Sequence, residues 1–271
     1  MDDSSLERII AKHDSMLVGF SGGVDSALLS VVARRVLGKE RAVAAVGTSP
    51  SLASTQLEQA RQLADQFDLN LVEVPTHELD DPNYAANSTM RCFYCKSELW
   101  TQLVELAREL RMSVVAEGTN ADDLNEHRPG LAAAEEFSVV KPLAEAGYTK
   151  ELVRVEARKL GIPIWDAPAA PCLSSRVLYG LEVTPERLSQ IENGEALLRG
   201  LGIEGDMRVR HRGDEARIEV AASEFAKVRQ VRAAIAADFA KLGFTQVTLN
   251  LTGYRRGSLL SDAPPELELL S

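Results

Sequence analysis

The sequence predicts an α/β chain: a doubly wound parallel sheet followed by a smaller C-terminal α+β domain. Two observations carry that prediction. Short apolar runs alternate with helical patterns through roughly the first 160 residues, as a parallel sheet covered on both faces requires. Beyond a Pro/Ala-rich stretch, Ala167 to Cys172, the order changes to helix, hairpin, helix and strand.

Met16 to Phe20 is an apolar strand running into a Gly pair, and Ala27 to Gly38 continues as a helix with glycine at its end. Ala42 to Gly47 is the second strand, Ser54 to Phe67 an amphipathic helix and Leu69 to Val74 the third strand. A helix carrying Phe93, Leu99, Leu103, Leu106 and Leu110 leads into the fourth strand, Met112 to Gly118. Val139 to Leu143 supplies a fifth short strand, and Thr149 to Gly161 a closing helix. Thr184 to Gly202 opens on Thr-Pro-Glu, an N-cap followed by proline at the first helical position. Arg208 to Val220 reads as a hairpin turning at Gly213-Asp214, Ser223 to Leu242 as a helix and Thr245 to Leu251 as a strand. The tail from Ser261 is expected to fray or dock loosely. The predicted organisation is residues 1–166, a linker over 167–183, and a substrate-binding or oligomerisation domain over 184–271.

The 271 residues are 45% hydrophobic and 26% charged, an ordinary soluble composition. The start lacks a signal-peptide pattern and no apolar run approaches the roughly 20 residues that span a bilayer, so a cytoplasmic protein without a membrane partner is expected. With 30 Lys+Arg against 40 Asp+Glu, the charge of -10 works against a nucleic-acid partner and leaves room for a small anionic substrate.

The loop Ser21-Gly22-Gly23-Val24-Asp25-Ser26 lies between an apolar strand and a helix. Two glycines let backbone N–H groups approach phosphate oxygens, the helix start adds partial positive charge, and Ser21 and Ser26 add hydroxyl donors. A Walker loop would present Lys followed by Ser or Thr, and a dinucleotide fingerprint Gly-x-Gly-x-x-Gly; neither is matched. At these residues the chain resembles the PP-loop ATP pyrophosphatases, whose fold is that of the adenine nucleotide alpha hydrolases. The resemblance implies cleavage of ATP, with its Mg2+, to AMP and pyrophosphate, with Asp25 handling the metal. Gly118-Thr119-Asn120 with Asp122-Asp123, and Lys141-Pro142-Leu143 with Thr149-Lys150, resemble further blocks of that superfamily and imply ATP contacts at Gly118, Thr119 and Asn120.

Three cysteines are too few, and odd in number, for a disulfide framework. Cys92 and Cys95 form a C-x-x-C whose thiolates can share one metal, and Cys172 lies in the linker. A zinc site completed by His77 or His127, an iron-sulfur cluster held by three cysteines, and a pair without function all fit this spacing. Arg208, Arg210 and Arg212 fall on one strand face, with His211 and Arg217 nearby; they suit a phosphate, or a solvated face balanced by Asp206, Asp214 and Glu215.

The phosphate loop, Ala170-Pro171-Cys172-Leu173-Ser174-Ser175-Arg176, and Arg208 to His211 running on to Ala216-Arg217-Ile218-Glu219 together resemble the LarE family over nearly the whole chain. These are ATP-dependent sulfur transferases that convert the carboxylates of pyridinium-3,5-biscarboxylic acid mononucleotide to thiocarboxylates in nickel-pincer nucleotide biosynthesis. The resemblance implies Cys172 as the sulfur site, with Ser174, Ser175 and Arg176 beside it and Arg208 and Arg210 on the substrate phosphate. Glu195 and Glu219 are implied as further metal or substrate contacts. Cys92 and Cys95 match the branch whose three cysteines hold a 4Fe-4S cluster, rather than the branch in which a single cysteine gives up its sulfur. It further implies homo-oligomers, often hexamers, and a sulfide-donor protein partner. The rivals are a tRNA thiolase, an amidotransferase resembling NAD or GMP synthetase, and a nucleotide sensor that binds ATP without cleaving it.

Overall fold

The computed structural model describes residues 5–125, 129–168, 170–254 and 267–270. The chain divides into two compact units, one of residues 1–81 with 92–171 and the other of 82–91 with 172–271. Residues 172–183, expected in a linker, thus lie in the second unit together with ten residues borrowed from inside the first half of the chain.

In the first unit, α1 (Ser5–Ile10), β1 (Met16–Gly19), α2 (Val24–Leu37), β2 (Ala42–Thr48), α3 (Ser54–Gln66) and β3 (Asn70–Pro75) follow one another. The chain then passes through α4 (Pro82–Ala85) of the second unit and α5 (Arg91–Glu109) to β4 (Val114–Glu117), α6 (Pro129–Glu136), α7 (Pro142–Glu145) and α8 (Lys150–Lys159). The sheet order is β3-β2-β1-β4, with every pairing parallel. Residues 16–18 of β1 and 42–46 of β2 are buried without interruption, as strands covered on both faces must be. Successive β1 residues serve opposite layers: Met16 and Val18 pack with α2, α3 and α8, whereas Leu17 packs with Trp100 and Leu103 of α5. Each such large side chain contributes roughly 1.5–3 kcal/mol when fully buried.

The expected fifth strand is instead a single bridge between Ala116 and Val140. Pro142 ends the run, because it lacks an N–H for the ladder and its fixed φ suits the first turn of α7. The helix after the phosphate loop starts at Val24, three residues before the apolar pattern declares it.

The second unit carries α9 (Pro185–Gly200), β5 (Met207–Arg212), β6 (Glu215–Val220), α10 (Phe225–Gln230), α11 (Arg232–Lys241), β7 (Gln246–Asn250) and β8 (Leu267–Leu269). Its sheet order is β5-β6-β7-β8, and the β5–β6 hairpin turns at Gly213-Asp214 as expected. The single helix expected over 223–242 is two, separated at Val231 (φ -100°, ψ 13°). The described part of the tail is ordered by pairing: β8 runs antiparallel to β7, and Leu270 is buried in the second core. Thr184 caps α9 by accepting from the Arg187 N–H at 3.2 Å, and in the first unit Thr149 caps α8 through Leu152 N–H at 3.3 Å.

Candidate active site

The phosphate loop is closed on itself. Ser26 Oγ donates to the Gly23 carbonyl (3.0 Å) and accepts from the Ser21 N–H (3.2 Å), so this hydroxyl shapes the loop instead of standing free for phosphate. Gly22 has φ +72°, a conformation a side chain disfavours, and Gln59 Nε2 donates to its carbonyl at 2.8 Å. No side chain caps α2 at Gly23, so its first-turn N–H groups are left to an external acceptor.

Asp25 opens that helix, and both its oxygens are held. Lys150 Nζ donates to Oδ2 at 2.5 Å and Asn120 Nδ2 to Oδ1 at 3.1 Å. Asn120 is fixed in turn, since its Oδ1 accepts from the N–H groups of Asp122 and Asp123, while Asp122 Oδ2 accepts from Lys150 N–H at 2.8 Å. The blocks at 118–123 and 149–150 therefore meet at the phosphate loop. Gly118 permits the approach: a Cβ there would stand 2.7 Å from the Ser26 nitrogen. Thr119 is buried.

In the second unit Cys172 precedes a short 3-10 turn, Leu173–Arg176, and its carbonyl is gripped three times, by Ser175 N–H (3.0 Å), Ser175 Oγ (2.7 Å) and Arg176 Nη1 (2.9 Å). Ser174 is buried, its hydroxyl 2.6 Å from Tyr84 Oη. Ser175 and Arg176 thus hold the Cys172 carbonyl, while Ser174 ties the turn to Tyr84 and Arg91. Sequence reasoning missed the other half of this clamp. Asn87 (φ +53°) donates to the carbonyls of Leu178 and Leu181, and the buried Arg91 donates to the Ser174 carbonyl at 2.9 Å. Nothing in the local pattern of residues 82–91 marks them for this, because their partners lie some ninety positions on.

Glu195 and Glu219 are not free carboxylates. Glu195 accepts from Arg176 Nε (2.9 Å) and Val209 N–H (3.2 Å), and Glu219 accepts from Arg210 Nε (2.9 Å) and Asn250 Nδ2 (3.2 Å). Both carboxylates are therefore engaged by arginines of their own unit. Arg210 also donates to the Ser175 carbonyl. Arg212 and Arg217 both pair with Glu215, so the strand face is compensated rather than solvated.

Arg208 differs. It is buried, donates to its neighbour's Met207 carbonyl, lies over the Tyr254 ring at 5.0 Å, and has no carboxylate within 4.0 Å among the described residues. Burial, followed by the positive charges of Arg176 and Arg210, pushes its guanidinium below the usual arginine range. Three clustered guanidinia, Arg176, Arg208 and Arg210, face two carboxylates, Glu195 and Glu219, and the unbalanced cation suits an anionic ligand. His211 beside them is held neutral: burial, then Arg187, pushes it down to about 4, and its Nε2 meets Gln190 Oε1 at 2.8 Å.

Cys92 and Cys95 sit three apart in the first turn of α5, on one face, with Cys92 exposed; none of the three cysteines is in a disulfide. Among the described residues no group of three or more His, Cys, Asp or Glu side chains is gathered for a metal ion. His77 is exposed beside Asp80, and His127 lies outside the described residues.

The chain is similar to an uncharacterized protein of Synechocystis, with 42% identity over 94% of this chain and 95% of that one. It is also similar to the pyridinium-3,5-bisthiocarboxylic acid mononucleotide synthase of Lactiplantibacillus plantarum, with 32% identity over 89% of this chain and 87% of the relative. The chain belongs to the LarE family. It is an ATP-using sulfur transferase of the PP-loop superfamily. The family profile described as NAD synthase matches residues 5–104, and a GMP synthase of Clostridium botulinum is 28% identical over 68% of this chain but only 39% of its own length. The matched residues 5–104 of that profile include the phosphate loop. No described helix is long and apolar enough to cross a membrane.

Proposed function

We propose that this enzyme adenylates a carboxylate of pyridinium-3,5-biscarboxylic acid mononucleotide and exchanges the activated oxygen for sulfur, in nickel-pincer nucleotide biosynthesis. The observation that carries the substrate is Arg208, a buried cation without a carboxylate partner among the described residues, in a sheet whose other buried arginines are compensated. A nucleotide phosphate is the anion its planar donors fit. ATP with its Mg2+ is the co-substrate. A carboxylate oxygen attacks the α-phosphorus, the bond to the bridging oxygen of pyrophosphate breaks, and pyrophosphate leaves. The acyl-adenylate then has AMP as leaving group, which a sulfur nucleophile expels. The uncapped start of α2 and Lys150 suit the departing pyrophosphate charge, while Asp25 is an oxygen donor of the kind Mg2+ takes.

The reading assigns Cys92, Cys95 and Cys172 to a 4Fe-4S cluster. The donor chemistry fits: two thiols share one face of a helical turn, and the third sits on an anchored loop. When bound, such a cluster would supply the sulfur nucleophile at its iron without a cysteine ligand. Assembly as a cytoplasmic homo-oligomer, recharged by a sulfide donor, completes the proposal and rests on the LarE resemblance. A second reading, taken from the LarE branch with a single cysteine, has Cys172 surrender its own sulfur. Iron and acid-labile sulfide measured on protein purified without oxygen, beside a Cys92→Ala variant, separate the two. About four of each per chain, lost in the variant, are expected for the cluster. No iron, together with loss of the mass of hydrogen sulfide from Cys172 after turnover, would establish the second reading instead.

A further inference from the structure

The carboxyl edge of the parallel sheet carries a charged pair that the phosphate loop does not use. Alternation along β4 turns Val115 and Glu117 toward α5, because Val115 belongs to the core beneath that helix and Ala116 to the opposite one. Glu117 stands in register with Gly19, the end of β1, and is followed by Gly118, which abuts Ser26. It is 6% exposed, yet its carboxylate is poorly satisfied: Oε2 lies 3.8 Å from Lys96 Nζ, and Oε1 has no hydrogen-bond partner among the described residues. Lys96 Nζ also lies 4.6 Å from the centroid of Trp100, the ring that fills the space beside Gly19. The Lys96 side chain is 39% exposed.

A carboxylate this buried that served only stability would have both oxygens satisfied. This one is loose, so the ammonium can bond a further anion without leaving Glu117 or Trp100. The adenylation step needs such a cation, since a carboxylate must approach a phosphate and the two repel. Lys150, by contrast, donates to Asp25 at 2.5 Å. We propose that Lys96 receives the substrate carboxylate on the α5 side of the phosphate loop and screens it during attack on the α-phosphorus. Glu117 and Trp100 are positioning residues that aim the ammonium. The assignment rests on the adenylation reading above.

The test is steady-state pyrophosphate release by the full-length protein purified without oxygen, varying the biscarboxylate nucleotide and MgATP in turn. Lys96→Gln is expected to raise KM for the biscarboxylate nucleotide about tenfold or more, the scale of one charged hydrogen bond, while KM for ATP moves by less than about twofold. Lys96→Arg should recover part of the loss, and Glu117→Gln should shift the same KM in the same direction by less. A wild type that releases no pyrophosphate with this substrate would sink the adenylation reading itself. With an active wild type, unchanged kinetics in Lys96→Gln, or an equal rise in both KM values, would overturn the role given to Lys96.

Discussion

In the phosphate-loop unit the central carboxylate, Asp25, keeps 22% of its side chain exposed, and its partner Lys150 keeps 36%. In the second unit Arg176 and Glu195 keep 6% and 5%, and Arg210 and Glu219 keep 7% and 3%. The first arrangement suits a site that must take in and release a highly charged ligand, since its charges remain partly hydrated and can exchange partners at modest cost. The second is a fixed charge framework in which each carboxylate balances an arginine and Arg208 alone of the three clustered guanidinia is left over for a ligand. The proposed ATP site is thus adjustable, and the proposed substrate-phosphate site preformed.

The largest expected effect tests the fixed framework. Glu195→Ala strands a buried Arg176 and leaves the Val209 N–H without its acceptor, and should cost about 3–5 kcal/mol in urea unfolding. A loss under about 1 kcal/mol would mean that Arg176 is readily hydrated, and the contrast between the units would collapse.

Function should divide along the same line. Asp25→Ala is expected to lower pyrophosphate release by on the order of 10²–10³-fold, with the circular dichroism spectrum of the fold retained. Arg208→Ala should chiefly raise KM for the nucleotide substrate, by about tenfold or more, with little change for ATP. Equal loss of affinity for both ligands in Arg208→Ala would show that the two sites are not separable in this way.

The smallest effect is a control in which the units should not differ. Thr149→Ala and Thr184→Ala each remove one side-chain cap of similar geometry, and each should cost about 1 kcal/mol of stability. A cost several times greater in one unit would show that its helix start is coupled to the charges around it.

The phosphate-loop half was legible because its chemistry is local. A strand, two glycines and a helix start fall within a dozen consecutive residues, and backbone geometry there follows from residue type. Capping by Thr184 and the Gly213-Asp214 turn were readable for the same reason. The fifth strand failed at Pro142, where an apolar run outweighed a proline that has no N–H to give a ladder. The clamp of Tyr84, Asn87 and Arg91 on the Cys172 segment left no trace in sequence, since hydrogen bonds between residues so far apart obey no spacing rule.

Residue order alone was enough to place Arg208 and Arg210 on one face of one strand, equivalent in type, two positions apart and equally suited to phosphate. Tertiary structure made them unequal. The hairpin register sets Arg208 opposite Glu219, yet the Glu219 carboxylate reaches diagonally to Arg210, and Arg208 is left beneath Tyr254. A buried carboxylate joins the cation whose donors it can reach with good geometry, and that choice is made by packing, which the order of residues along the strand does not contain.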